Sequence, residues 1–317
     1  MFPNTSNDKI PVLAVAGPTA SGKSALALRL CEHFDGELIS CDSMQIYRRM
    51  DIGTAKPTSA ERARVPHHLI DICDADEDFS AAWFTELAER TIREVTERGK
   101  LPVLCGGTGL YLDSLLRGVD FGTLEPAPAL RVELAAVAEK EGPLALHAML
   151  EACDPEAAAA IHPNNVKRVI RALEICRTAG MTKTEWDKQA TRRESPYDAR
   201  VIALDYRNRE TLYTRIDRRV DEMFAAGLED EVRTLRADGL LRPDSTAGGA
   251  IGYKELYDYL DGRATKEDAI AAVKLATRHY AKRQLTWLRR DNVLWLYPDD
   301  YDNADELFWA ACRLIEE

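Results

Sequence analysis

Ile10–Cys31 reads IPVLAVAGPTASGKSALALRLC, and three local signals meet in it. Ile10 to Ala16 is a short apolar run that predicts a buried strand, and Ser24 to Cys31 is a run of helix formers with its apolar residues on one face. Between them GPTASGKS, Gly17 to Ser24, has the phosphate-loop spacing in the strand-to-helix setting that the pattern requires. The glycines, Gly17 and Gly22, let the N–H groups around Thr19, Ala20 and Ser21 curve about an oxyanion, and the helix N-terminus adds positive potential. Lys23 is placed to contact the terminal phosphate and Ser24 to hold a divalent ion. Such a loop binds a diphosphate without naming what the diphosphate is attached to.

Working outward, Glu37 to Cys41 predicts a second strand, Ser80 to about Arg98 a helix stopped by Gly99, and Leu101 to Cys105 a third strand. Strands alternating with helices predict an α/β fold, a parallel sheet covered on both faces. GGTGLY, Gly106 to Tyr111, would leave the same carboxyl edge as the phosphate loop, where ligands bind in such sheets. Thr108 is there either to touch substrate or simply to make a turn. CDSMQIYRRMDIGTAKP, Cys41 to Pro57, opens at the end of the second strand and puts Asp42 at that edge. Its carboxylate suits a general base or a metal-associated group, and equally a turn cap. No apolar strand ending in aspartate supplies the second acidic element of a motor ATPase or GTPase, so a transferase is favoured over a nucleotide-driven switch.

From Gly118 to Asp198 strand signals stop and helical segments take over: Pro128 to Glu141, Ala145 to Ala152 and Asn165 to Ala179. Val201 to Leu204 predicts one more strand, followed by helices over Arg209–Ala237, Tyr253–Leu260 and Lys266–Leu288. The expected organisation is a sheet core at 1–117, a helical insertion at 118–198, and completion of the core at 199–317.

The chain has 317 residues, 42 Lys plus Arg and 53 Asp plus Glu, a net charge of -11 that by itself argues against nucleic acid. With 45% hydrophobic and 30% charged residues it has a globular composition. Seven scattered cysteines without a CxxC pair argue against disulfides and a zinc knuckle, and the adjacent His67 and His68 read as structural or surface residues. The absence of a transmembrane run or signal-like start predicts a cytoplasmic protein with no membrane partner.

GPTASGKS, DSMQIYRRMDIGTAKPT, VPHHLID, GGTGLYLDSLLRG, RALEI, AIGYKEL and AKRQLTWLRR, in this order over roughly residues 10 to 290, resemble the bacterial tRNA dimethylallyltransferase family, the adenosine-37 isopentenyltransferases. The resemblance implies a P-loop nucleoside-triphosphatase-like core and a helical insertion that grips the anticodon stem-loop of tRNA. It implies that the phosphate loop binds dimethylallyl diphosphate, with Mg2+, rather than cleaving ATP. Asp42 would then be the base for the N6 amine, Thr108 its neighbour in positioning, and Asp42, Ser43, Met44 and Gln45 the segment that receives the flipped base. Lys23, Ser24 and magnesium would neutralise the departing diphosphate. One departure is Gly249, where relatives carry Arg or Gln. Its backbone N–H, Lys254 or Arg283 could replace that side chain, or the diphosphate is held less tightly. No obligate protein partner is evident in the sequence, which does not fix whether the chain acts as a monomer.

Charge is also distributed unevenly. Residues 160–193 contain eight basic and three acidic residues, a local +5, with Lys167, Arg168 and Arg171 close together on an expected helix. Residues 274–290 carry six basic residues and no acidic one, with Lys274, Arg278 and Lys282 four apart on one stripe. Like charges at that spacing repel, which favours an anionic partner. Arg131, Lys167, Arg168, Arg171, Arg278, Lys282 and Arg283 are the expected RNA contacts, and Trp287 and Leu288 the expected packing anchors. The rival enzymes, an ATP-dependent small-molecule kinase and a transferase acting on free adenine nucleotide, leave the insertion and the basic segments without a task. A nucleotide-gated RNA-binding module would need little from Asp42 and Thr108.

Overall fold

The run of small and apolar residues at Ile10–Ala16 forms β1, and its last five residues are buried. The structure, a computed structural model, describes residues 9–118, 127–189, 194–243, 245–289 and 293–316. After β1 come α1 (Lys23–Phe34), β2 (Gly36–Cys41), α2 (Ser59–Arg64), β3 (His67–His68), α3 (Ala81–Glu97), β4 (Leu101–Gly106) and α4 (Gly109–Leu116). Five helices follow: α5 (Pro128–Lys140), α6 (Pro143–Cys153), α7 (Pro155–Ala160), α8 (Val166–Thr178) and α9 (Lys183–Gln189). The chain returns with β5 (Tyr197–Leu204), α10 (Arg209–Ala225), α11 (Leu228–Ala237), α12 (Tyr257–Leu260), α13 (Lys266–Leu288), β6 (Leu294–Leu296) and α14 (Ala304–Glu316).

The six strands pair in the order β3-β2-β4-β1-β5-β6, every pair parallel. Alternation along β1 builds both faces. Val12, Ala14 and Ala16 pack with Phe84, Leu112 and Val220, whereas Leu13 and Val15 pack with Leu26, Leu30 and Phe308. Each large side chain so buried stabilises the sheet by about 1.5–3 kcal/mol. Ser80 caps α3 by accepting from the Trp83 N–H, which fixes where that helix starts.

The chain divides into two compact units, Met1–Arg117 with Ser195–Glu317, and Gly118–Glu194. The second is all-helical among its described residues, with its own core of Leu134, Leu146, Leu150, Val169 and Leu173. Asp154 caps α7 through the Ala157 N–H and also accepts from the N–H and hydroxyl of Thr184 just inside α9. Three expectations change. β5 begins at Tyr197 rather than Val201, which takes residues 197 and 198 out of the insertion. The single helix expected over 209–237 is two, because Gly227 takes a left-handed conformation (φ 101°) between α10 and α11. The segment from Tyr253 opens with a 3-10 turn, Lys254–Leu256, before α12.

His67 and His68 lie on edge strand β3. His67 Nδ1 is 2.8 Å from the Val65 carbonyl and His68 Nε2 is 2.7 Å from Glu37, so both rings serve the sheet. No described helix is long and apolar enough to cross a membrane.

Candidate active site

Strand register brings three loops together. On the central strand β4, Gly106 stands opposite Ala16 on one side and Cys41 on the other. The next residues, Gly17, Asp42 and Gly107, therefore leave the sheet side by side at its carboxyl edge. The packing is close enough that a Cβ on Gly106 would lie 2.2 Å from the Cys41 carbonyl oxygen. A cleft of 1660 Å³ opens over these loops, lined by the phosphate loop, the Asp42–Arg62 region and residues of α10 and α13.

Gly22 caps α1 in a left-handed conformation (φ 92°) with no side-chain cap, so the first N–H groups of α1 face the cleft without a capping acceptor. Lys23 folds back to donate to the Pro18 carbonyl at 3.2 Å. Burial lowers its pKa and Arg219 adds to that, with Cys105 and Asp42 opposing the shift, so an anion bound in the cleft would favour its charged form. Ser21 is buried, and its Oγ has no hydrogen-bond partner among the described residues. A polar atom left in that state is costly unless a ligand satisfies it.

Asp42 combines both roles that its position allows. Its Oδ1 accepts from the Met44 N–H at 2.9 Å and the Gln45 N–H at 3.4 Å, which shapes the turn after β2. Its Oδ2 has no hydrogen-bond partner among the described residues and belongs to the cleft lining. Thr108 ties this turn to the loop after β4. Its Oγ1 accepts from the Ser43 N–H at 3.1 Å and donates to Ser43 Oγ at 3.5 Å, while its own N–H reaches the Cys41 carbonyl at 3.3 Å. Met44 packs against the core beneath the cleft. Gln45 acts as a brace: it accepts from Ser40 Oγ and donates to the Thr54 and Ala55 carbonyls, so its carboxamide is already engaged.

Sequence reading missed Arg215 and Arg219. They sit four apart on α10, hence on one face, and both line the cleft. Arg215 Nε donates to the Ala20 carbonyl of the phosphate loop at 2.9 Å. Arg219 Nε is buried without a partner among the described residues. Burial pulls its pKa down and the nearby Asp42 carboxylate pushes it up, but a guanidinium starts high enough to stay charged. The available signal was RIDRR, 215–219, two arginines at helical spacing in the first helix after a strand of the sheet.

Gly249 lines the same cleft, but its N–H already donates to the Ser245 carbonyl at 3.1 Å, so the backbone does not stand in for the missing side chain. A Cβ there would meet only ordinary contacts, 3.4 Å to the Ser245 oxygen and 3.7 Å to the Thr246 oxygen. Of the two substitutes expected, Lys254 lies 3.8 Å from Glu255, and Arg283 lies over the Tyr280 ring at 5.6 Å. Arg215 and Arg219 are the cations already turned to the phosphate loop and Asp42.

The basic segments separate into engaged and exposed charges. On α13, Lys274 pairs with Asp221 and Arg278 with Asp217, both acids on α10. Repulsion along that stripe is thereby relieved, so the four-residue spacing of Lys274, Arg278 and Lys282 does not by itself call for an anionic partner. Lys282 and Arg283 remain exposed, with no acidic partner among the described residues. In the helical unit the fully buried Glu174 carboxylate accepts from Arg131 Nε at 2.7 Å, Arg171 at 2.6 Å and the Ala127 N–H at 3.2 Å. Burial alone would raise the Glu174 pKa, but these donors together outweigh it and hold it low. Lys167 and Arg168 are exposed on α8 with no acidic partner among the described residues, whereas Arg192, Arg193 and Arg290 lie outside them.

A parallel sheet with a phosphate loop, a carboxylate at the adjoining strand end and two arginines lining the cleft defines a P-loop group transferase. The described residues contain no cluster of three His, Cys, Asp or Glu able to hold a metal by itself. The chain belongs to the IPP transferase family, whose model matches residues 45–291. It is 49% identical over 295 residues to the tRNA dimethylallyltransferase of Halalkalibacterium halodurans, 93% of each chain. It is 50% identical over 291 residues to that of Bacillus subtilis, 92% of this chain and 91% of the other. Among solved structures it resembles the full-length tRNA isopentenylpyrophosphate transferase from Bacillus halodurans, with 46% identity, a TM-score of 0.71 and 97% coverage of both chains. It also resembles a eukaryotic dimethylallyltransferase acting on tRNA, with 30% identity, a TM-score of 0.76, 93% of this chain and 77% of the other.

Proposed function

We propose that the chain transfers a dimethylallyl group from dimethylallyl diphosphate to N6 of adenosine 37 in tRNA anticodon loops, releasing diphosphate. The observation that carries the proposal is the pairing, at one sheet edge, of a partnerless Asp42 carboxylate oxygen with a cationic cradle whose buried Ser21 Oγ and Arg219 Nε also lack partners among the described residues. Gly17, Thr19, Ala20, Ser21, Gly22, Lys23 and Ser24 hold the diphosphate, and Arg215 and Arg219 close over it. Asp42 Oδ2 takes a proton from the N6 amine as that nitrogen attacks the allylic carbon, and the C–O bond to diphosphate breaks. Negative charge grows on the leaving oxygens in that step, so Lys23 and Arg219 stabilise the transition state more than the bound substrate. Thr108 fixes the Ser43 backbone and so the turn that carries Asp42.

The donor set fits magnesium carried by the substrate, since magnesium commonly uses one or two protein oxygens plus phosphates. Ser24 would hold it, and the ion would supply further neutralisation of the diphosphate. A covalent cysteine intermediate is not needed. Burial pushes the Cys105 thiol up to about 11 and raises Cys41 well above its ordinary value, so neither offers a thiolate at neutral pH.

Lys167 and Arg168, with Arg131 and Arg171 held by Glu174, contact the tRNA backbone from the helical unit, and Lys282 and Arg283 do so from α13. The target base is received by the Asp42–Gln45 turn after leaving its stack. The enzyme works on tRNA in the cytoplasm and needs no obligate protein partner. Its direct test is which acceptor, tRNA or a free adenine nucleotide, takes label from dimethylallyl diphosphate; label on tRNA is expected. Replacing Lys167 and Arg168 together by Ala should weaken tRNA binding and lower the slope of log affinity against log salt by about 1–2, as expected for two lost phosphate contacts. Filter binding across a salt series measures both, and an unchanged slope would remove this patch from the footprint.

A further inference from the structure

Gln284 is buried in α13, 5% exposed, between two loops that carry the chemistry. Its Oε1 accepts from the Thr19 N–H of the phosphate loop at 2.9 Å, and its Nε2 donates to the Gly107 carbonyl at 3.0 Å. The contact is close, since a Cβ on Gly107 would lie 2.0 Å from that nitrogen. A few residues on, the Trp287 ring covers Gly109, where a Cβ would come within 2.2 Å of it. The end of α13 is thereby seated against the loop that carries Thr108. We propose that Gln284 is a positioning residue that locks the phosphate loop to the Thr108 loop, setting the distance between the bound diphosphate and the base-receiving turn.

The chemistry at this position is restrictive. One loop presents a donor and the other an acceptor, so the bridging side chain must accept and donate at once. A carboxamide does so at every pH. A carboxyl group does so only while protonated, when its O–H can face the Gly107 carbonyl. Once ionised it offers acceptors alone, and its charge opposes the diphosphate. On the phosphate loop, the Asp42 turn, β4, α10 and α13, the ionisable groups that line the cleft with Gln284 are Lys23, Asp42, Cys105, Arg215, Arg218, Arg219, Glu222, Tyr280 and Arg283. Tyr280 touches both Thr108 and Gln284 and is pushed up to about 12 by burial, so it stays neutral through the working range.

Gln284→Glu is therefore the diagnostic variant. Burial raises a carboxyl pKa, so the protonated, bridging form persists in mildly acid solution. Its kcat/KM, taken as a ratio to wild type at each pH, should stand within about threefold of unity at pH 5.5 and fall at least about tenfold by pH 8.5, as the bridging form is depleted. A ratio flat across that range, whether near unity or uniformly low, would overturn the proposal. Where Gln284→Glu fails to fold by circular dichroism, Gln284→Met decides the matter. It should lose at least about tenfold in kcat with tRNA affinity unchanged, and an unchanged kcat would overturn the proposal. Because the inference rests on the proposed transfer reaction, inorganic diphosphate binding supplies a readout independent of it. The dissociation constant of Gln284→Glu relative to wild type should rise over the same pH window, and a constant ratio contradicts the inference. A wild-type protein that binds diphosphate but transfers nothing would fault the proposed reaction instead.

Discussion

Replacing Asp42 by Asn is expected to lower kcat by about 10²–10⁴-fold while changing tRNA affinity by less than about twofold. The two oxygens of Asp42 do different work, which makes the variant informative. Asn retains an acceptor for the Met44 and Gln45 N–H groups, so the turn after β2 keeps its shape. The amide cannot take a proton where Oδ2 stood. Single-turnover rates with tRNA and dimethylallyl diphosphate, set beside equilibrium tRNA binding, separate the effects. A comparable fall in binding would identify Asp42 as an organiser of the loop rather than the base.

The second large effect is expected at Arg219. Changing it to Met keeps bulk in a buried place and removes a cation beside Asp42 and the phosphate loop. Removing one such preorganised donor typically costs about 10²–10³-fold in kcat, and the inhibition constant for inorganic diphosphate should rise with it. Arg219→Lys should recover part of the loss, since it restores charge without the planar fork. A kcat within about threefold of wild type for Arg219→Met would show that Arg219 only fills space.

The central fold was legible because its signals are local. β1, the phosphate loop and α1 lie within one stretch, and β2 and β4 are short apolar runs that end where the glycines or Asp42 begin. The first half of β5 was not legible, since Tyr197 to Arg200 mixes one buried residue with exposed and half-buried ones before the apolar run starts. Edge strands β3 and β6, of two and three residues, are too short to show a period. The Gly227 break was present as a residue, but its left-handed conformation was not.

At the site, Asp42, Thr108 and the phosphate loop could be placed because each follows a strand end. The roles of Arg215, Arg219 and Gln284 depend on α10 and α13 returning over the cleft, contacts that span 195 residues for Arg215 to Ala20 and 265 for Gln284 to Thr19. No local pattern carries such a contact. Charge reading met the same limit. Asp217 and Asp221 neutralise Arg278 and Lys274 from another helix, and Glu174 on α8 holds Arg131 on α5 across 43 residues of sequence. Lys167 and Arg168 are exposed on α8 with no acidic partner among the described residues, so local sequence sufficed to show their charge as available.

The most direct measurement supplies labelled dimethylallyl diphosphate and magnesium with unmodified tRNA, ATP and AMP in separate reactions and follows where the label goes. The proposed mechanism predicts label on tRNA at the N6 of adenosine 37, with diphosphate released in equal amount and neither free nucleotide labelled. Label on AMP with none on tRNA would contradict it.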